Sequence, residues 1–333
     1  MLSRALLVLV GLAVLAGLLV SARQNSQQFV VVTLNGLTLA GLYFIVAAGF
    51  TLIFGLMRVV NMAHGSFYLL AGYLAFTTQA AWFGVTSNLL TGSTVTVISW
   101  LVPLLFGTVL VGILGLGIQQ LVLRWNQGQD LRQALITIAI SVILADQMLA
   151  HFGGISQSIQ QPTSWPISVA VFGVHYGFFR LVVVMGSALI IGALLWLGIR
   201  LTRFGMIVRA GVDDRSMVSA LGINVQLVFA GAFLIGSLLA GFGGVLGGTM
   251  IAVTPGADAN ALLTSLIVVI IGGMGSLGGA AIGALALGLV SAYADVYFKL
   301  GGTDLTNYAI LVTFVLVVVV LSVRPLGLFG RPA

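Results

Sequence analysis

Residues 29–54 read FVVVTLNGLTLAGLYFIVAAGFTLIF, without one charged side chain. As an α-helix this run is about 39 Å long, against a bilayer hydrocarbon core of about 30 Å, so it reads as a membrane span. Working outward, similar apolar runs recur near 5–20, 64–83, 97–122, 134–152, 181–199, 225–252, 261–275, 278–298 and 306–323. The whole chain of 333 residues is 60% hydrophobic and only 6% charged. A soluble domain carries about a quarter of its residues as Asp, Glu, Lys and Arg. This chain has too few hydrated groups to cover a globular surface. The expected fold is all-α: a single transmembrane domain over residues 1–333, a polytopic helical bundle of about ten segments.

The charges sort by position. There is no Glu, and Lys299 is the only lysine. Placing the N-terminus in the cytoplasm puts Arg4, Arg58, Arg124, Arg132, Arg200, Arg203, Arg209, Arg215, Arg324 and Arg331 inside, and leaves only Arg23, Arg180 and Lys299 outside. Excess Arg and Lys mark cytoplasmic loops, so both termini are expected in the cytoplasm. The formal charge of +6 is then topology rather than a nucleic-acid footprint. With no Cys there is no disulfide framework and no thiol metal site. The 44 glycines suit helices whose backbones approach closely.

Three stretches need separate treatment. Residues 1–24 combine Arg4, an apolar run and Val20-Ser21-Ala22, which fits a retained first span or a signal-like segment. Segment 261–275 is short for a span, so it is a helix tilted within the bundle or one limb of a broken hairpin. Gly275, Gly279 and Gly283 follow at four-residue spacing, which predicts a helix-packing stripe. Residues 153–180 form the longest extramembrane loop, with Trp165, Pro162 and Pro166, and His151 and His175 nearby. It is expected on the periplasmic face, as a connector with an interfacial aromatic or as a docking surface for an external partner.

No Walker A motif is present, and His64, His151 and His175 are scattered, so no catalytic residue and no metal site is expected. Asp146 is the best candidate for an intramembrane coupling acid, and Asp295 lies near a helix end. Asn35, Asn61 and His64 stand at helix starts or beside glycines, where they cap free N–H groups or line a cavity. Residues 200–224 read RLTRFGMIVRAGVDDRSMVSALGIN, with four Arg and two Asp in one loop. Asp213, Asp214 and Ser216 predict an N-cap, Met217 through Leu221 a short amphipathic helix, and Gly222 its end. A charge-framed helix on the cytoplasmic face is a natural lever for a soluble partner.

Taken in order, Asn35-Gly36, Phe54-Gly55, Asn61-Met62-Ala63-His64-Gly65, Arg209 through Asp214, Ala220 through Asn224, Ile271 through Gly279 and Arg324 through Gly330 resemble the permeases of branched-chain amino acid ABC importers. Ser66 departs from the pattern, since many relatives carry an acid after Ala-His-Gly. The resemblance implies one permease of a heterodimer in a bacterial inner membrane, with two cytoplasmic ATPases and a periplasmic substrate-binding protein. It implies that the stretch from about Asp213 to Leu221 is the coupling helix seated in an ATPase cleft, with Arg209, Asp213, Asp214, Arg215, Met217, Leu221 and Gly222 at that contact. Asn35, Asn61 and His64 are the translocation-path candidates. No cofactor is expected on this chain, because ATP and Mg belong to the ATPases. The same family also serves urea, short amides and aromatic acids. Two other readings stay open: an ion-coupled carrier using Asp146, and a passive channel for urea-like solutes.

Overall fold

A computed structural model of the chain describes residues 25–85, 94–213, 215–300, 303–304 and 309–330. The expected segment at 5–20 lies outside the described residues. The charge-free run becomes α1 (Ser26–Met57), about 48 Å of continuous helix. Asn25 starts it by accepting the Gln28 N–H on Oδ1 at 3.1 Å, and Arg58 ends it in the left-handed conformation (φ 52°). Then follow α2 (His64–Phe83), α3 (Val97–Leu121) and α4 (Asp130–Phe152). A π-helical turn (Phe179–Val184) runs into α5 (Met185–Leu201), and two short helices, α6 (Arg203–Asp213) and α7 (Arg215–Ala220), come next. The chain closes with α8 (Val225–Met250), α9 (Ala257–Gly272), α10 (Leu277–Tyr297) and α11 (Ala309–Val323). Among the described residues, six helical stretches are long and apolar enough to cross a membrane: α1, α3, α4, Phe179–Leu201, α8 and α10.

α1 is the central post, flanked by α8 and α10, with α2 and α3 packed across α8. Glycine makes these approaches possible. A Cβ on Gly49 would stand 2.6 Å from the Gly236 carbonyl oxygen of α8, and one on Gly288 would stand 2.6 Å from the Gly36 carbonyl oxygen of α1. Helices in a bilayer gain little from excluding water between them, so this backbone-to-backbone fit is what holds them together. Phe50, Phe67, Phe233, Leu246 and Ile271 fill the interior. The outer faces of α4 and α5 instead expose Leu135, Ile143, Leu189 and Leu194. Such faces suit lipid or another membrane chain.

Chain direction alternates so that the bundle has two unlike ends. Arg58, Arg124, Arg132, Arg200, Arg203, Arg209 and Arg324 cluster in sequence at the helix ends and links of one side, the arginine end. The other is a hairpin end. Residues 153–180 form an ordered cap there, not a plain connector. Ser168–Val171 and Val174–Gly177 pair as antiparallel β1 and β2, with Val171 opposite Val174. Phe172 (φ 48°) and Gly173 (φ 80°) both take the left-handed conformation that a two-residue hairpin turn needs. Gln79 clamps the cap to α2, giving Nε2–H to the Gln160 carbonyl and accepting the Gln160 N–H on Oε1, both at 2.9 Å. Trp165 packs on Trp100, Phe178 and Phe179.

The short segment expected at 261–275 is α9, which begins at Ala257 and ends at Gly272. After α8 the chain turns inward, and Val253 pairs with Gln157 of the cap through bonds of 2.6 and 2.8 Å. α9 then starts inside the bundle, its Asp258 carbonyl pressed against Gly65. Gly279 and Gly283 pack on the backbone of α9, at Gly272 and Val268, as the stripe predicts. Gly275 is a correction: it precedes α10, in the turn, with φ 80° and its backbone against Gly55. The C-terminal stretch is stapled to the end of α9, Leu328 and Phe329 giving their N–H groups to the Ile271 and Gly272 carbonyls at 2.9 and 3.0 Å.

Candidate functional site

The arginine end carries the segment expected to be a loop with one short helix. It is helical much sooner. In α6, Phe204, Ile207, Val208 and Gly211 recur at i, i+3, i+4 and i+7 and face the bundle, while Arg203, Met206, Arg209 and Ala210 face outward. Phe204 rests on Gly231 of α8, and Leu56 at the end of α1 touches Gly211. Arg209 donates to the Ile199 carbonyl at the end of α5. Asp213 is therefore the last residue of α6, not the cap of the next helix. Asp214 lies outside the described residues.

α7 follows at once. Val218 is buried at 3% exposure, whereas Met217 at 64% and Leu221 at 71% stand out from the surface. Leu221 lies just past α7, its N–H given to the Met217 carbonyl at 3.1 Å. Gly222 takes φ 78°, as a helix-ending glycine does. Asn224 then caps α8 by accepting the Gln226 and Leu227 N–H groups at 3.1 and 3.4 Å. Met217 on the short helix and Leu221 just past it stand exposed on a knob braced through α6 on α1, α5 and α8.

The path candidates do not meet. Asn35 is at the hairpin end, where Oδ1 accepts the Tyr176 hydroxyl at 2.9 Å and an Arg180 guanidinium N–H at 3.4 Å. The Tyr176 oxygen also lies 2.9 Å from the Thr38 hydroxyl, so this knot ties β2 to α1. Tyr176→Phe removes both bonds from a buried group and should cost about 1–3 kcal/mol, read as a lowered unfolding temperature in detergent. Asn61 and His64 sit deep between α1 and α2. Asn61 Oδ1 accepts the Ala63 N–H at 3.1 Å, closing the turn ahead of α2, whose start carries no side-chain cap. His64 is wholly buried, with Nε2 3.0 Å from the Val46 carbonyl and its ring edge-on to Phe50. Asn61 Nδ2 and Gln133 Oε1 find no partner and line one void of about 10 Å³, close to the space of a single water.

Asp146 is placed more suggestively. It borders a half-open cavity of about 350 Å³ between α2, α4 and the start of α9, together with Tyr73 and Asp258. Asp258 was passed over in the sequence, because the polar residues around it place it in a loop before the apolar run. Its signal was Pro255-Gly256, which opens a helix and puts the next acid in the first turn. Among the described residues, no group of three or more His, Cys, Asp or Glu could hold a metal ion.

Known proteins now supply the family. Residues 32–321 match the family described as branched-chain amino acid transport system / permease component. The high-affinity branched-chain amino acid transport system permease protein LivH of Salmonella typhimurium is 30% identical over 310 residues, covering 90% of this chain and 94% of that one. The corresponding protein BraD of Pseudomonas aeruginosa is 29% identical over 306 residues, with the same coverage. A probable LivH of Methanocaldococcus jannaschii is 24% identical over 299 residues, covering 87% of this chain and 89% of its own. No solved structure matches. These relatives are named as transport permeases, which are not enzymes, and the apolar spans make the chain an integral multi-pass membrane protein. With its ordered motifs, its helical bundle and its family match in agreement, the chain belongs to the branched-chain amino acid transport permease family.

Proposed function

We propose that this chain is one of two homologous permeases in an ATP-driven importer of branched-chain or other hydrophobic amino acids in a bacterial inner membrane. The arginine end faces the cytoplasm, as the positive-inside bias requires, and both termini lie there. Two ATPase subunits using ATP and Mg engage the α6–α7 knob, through Met217 and Leu221 with Arg209, Asp213, Asp214, Arg215 and Gly222 around them. A periplasmic binding protein delivers solute at the hairpin end, where Ile167 and Phe172 stand exposed on the cap. ATPase closure pushes the knob, and alternating access follows. The observation that carries this reading is α7 itself: an outward pair of apolar side chains on a short helix braced against the posts of the bundle.

His64 serves in this scheme to lock α1 to α2 through Val46, and Asn61 shapes the turn between them. Asn35 holds the cap, and Gly279 and Gly283 seat α10 on α9. The test is labelled leucine uptake by cells lacking their own leucine importers and expressing this permease with its partner permease, ATPases and binding protein. Uptake should need every component and fall to background when the ATPases carry a disabled Walker A lysine. Uptake by this chain alone in liposomes, driven by a proton gradient and lost in Asp146→Asn, would make it an ion-coupled carrier. Flux without ATP or gradient would make it a channel. Competition by urea, short amides or aromatic acids would move the substrate within the family.

A further inference from the structure

The half-open cavity of about 350 Å³ is lined by aliphatic and by polar side chains. Leu69 of α2 and Val142, Met148 and Leu149 of α4 give an aliphatic wall. Among them stand Asp146, one turn from Val142 on α4, Tyr73, one turn from Leu69 on α2, and Asp258 in the first turn of α9. Asp258 is only 9% exposed, yet among the described residues its carboxylate has no hydrogen bond and no ion pair. Tyr73 is 1% exposed and its hydroxyl is likewise unpartnered, while its ring is stacked on Phe152 at 4.5 Å. The buried Tyr73 phenol without a partner is costly and such groups are normally satisfied, while the Asp258 carboxylate borders the same cavity. Something that donates hydrogen bonds and carries positive charge is the natural complement.

The cavity also has a source of backbone donors. α9 opens at Gly256 (φ 83°), with no side chain capping its free N–H groups. The chain before it, 251–256, is irregular backbone held by the cap through Val253 and Gln157. Irregular backbone feeding a helix start inside a membrane protein is tolerated where it lines a cavity, and such starts attract anionic solute groups. The depth is right as well. Asp258 is level with Gly65, and the neighbouring His64 meets Val46, about 17 Å along α1 from its arginine end.

We propose that this cavity is a solute site within the permease itself, built for a zwitterionic α-amino acid with an aliphatic side chain. The ammonium group lies between Asp258 and Asp146 with the Tyr73 hydroxyl as a further acceptor. The carboxylate meets the open start of α9, and the side chain lies on Leu69, Val142, Met148 and Leu149. The charged pocket suits a zwitterion better than urea or an amide, which carry no ammonium for two carboxylates. This deepens the importer reading and rests on it.

The test measures equilibrium binding of labelled leucine to the permease–ATPase complex purified without the binding protein, with import measured on the full importer. Leucine should bind and 4-methylpentanoate, which lacks the amine, should not displace it. Asp258→Asn should weaken binding tenfold or more, Asp258→Glu should recover much of it, and Val142→Trp should block the cavity by bulk alone. Each variant must co-purify with its partners at the normal ratio, so loss of fold is seen separately. Normal leucine binding in Asp258→Asn and Val142→Trp, or displacement by 4-methylpentanoate as effective as by leucine, overturns the site. If the unmodified importer fails to take up leucine with ATP, the functional reading fails. If it imports leucine and these variants bind and import normally, only the site is lost.

Discussion

Gly49→Leu should leave no folded permease. The Cβ alone would stand 2.6 Å from the Gly236 carbonyl oxygen, and the backbone of α8 cannot yield as a side-chain tip would. A leucine must push α1 and α8 apart along the face that carries Phe50, Phe233 and Leu246. Overpacking a tight core typically costs about 1–3 kcal/mol, and a clash with backbone belongs at or beyond the upper end. Fluorescence-detected size exclusion should show aggregate in place of a monodisperse peak. A well-folded Gly49→Leu protein would mean that the α1–α8 contact is looser than the structure has it. Gly117 in α3 is the control, because nothing lies within 4 Å of a Cβ there, so Gly117→Ala should express normally.

The second large effect is on coupling. Met217→Asp with Leu221→Asp changes two exposed apolar side chains and should leave the fold intact, since surface substitutions usually move stability by less than about 0.5 kcal/mol. Import should nevertheless fall tenfold or more, and the ATPases should no longer co-purify. Apolar anchors at the centre of an interface commonly carry at least about 2 kcal/mol each, and a new charge there adds desolvation. Unchanged import and assembly would remove α7 from the ATPase contact.

Much of this was legible from the chain alone, for a physical reason. A bilayer enforces long charge-free runs, so 29–54 announces α1, and the arginines announce which ends lie together. The failures share another cause. Residues 203–213 look like a loop because four Arg fall within 200–224, yet Phe204, Ile207, Val208 and Gly211 hold the spacing of an amphipathic helix. Charge density masked periodicity. Asp258 was lost for a related reason, its polar neighbours placing it in a loop before the apolar run although it lines a cavity. The hairpin at 168–177 rests on Phe172-Gly173, a turn that sequence shows only weakly because Phe is an unusual residue at positive φ. The separation of Asn35 from His64 depends on where two helices meet, which no local pattern records.

The length of α1 has a mechanical meaning. At one end Leu56 touches α6, and at the other Leu34, Asn35 and Thr38 are knotted to the hairpin. A helix of about 48 Å is stiff over that distance, so tilting it by roughly five degrees swings one end about 4 Å relative to the other. A shove at the knob and a shift of the outer cap are then two readings of one pivoting beam. In the importer proposed above, two gates hung on this one post would need no relay of side chains between them.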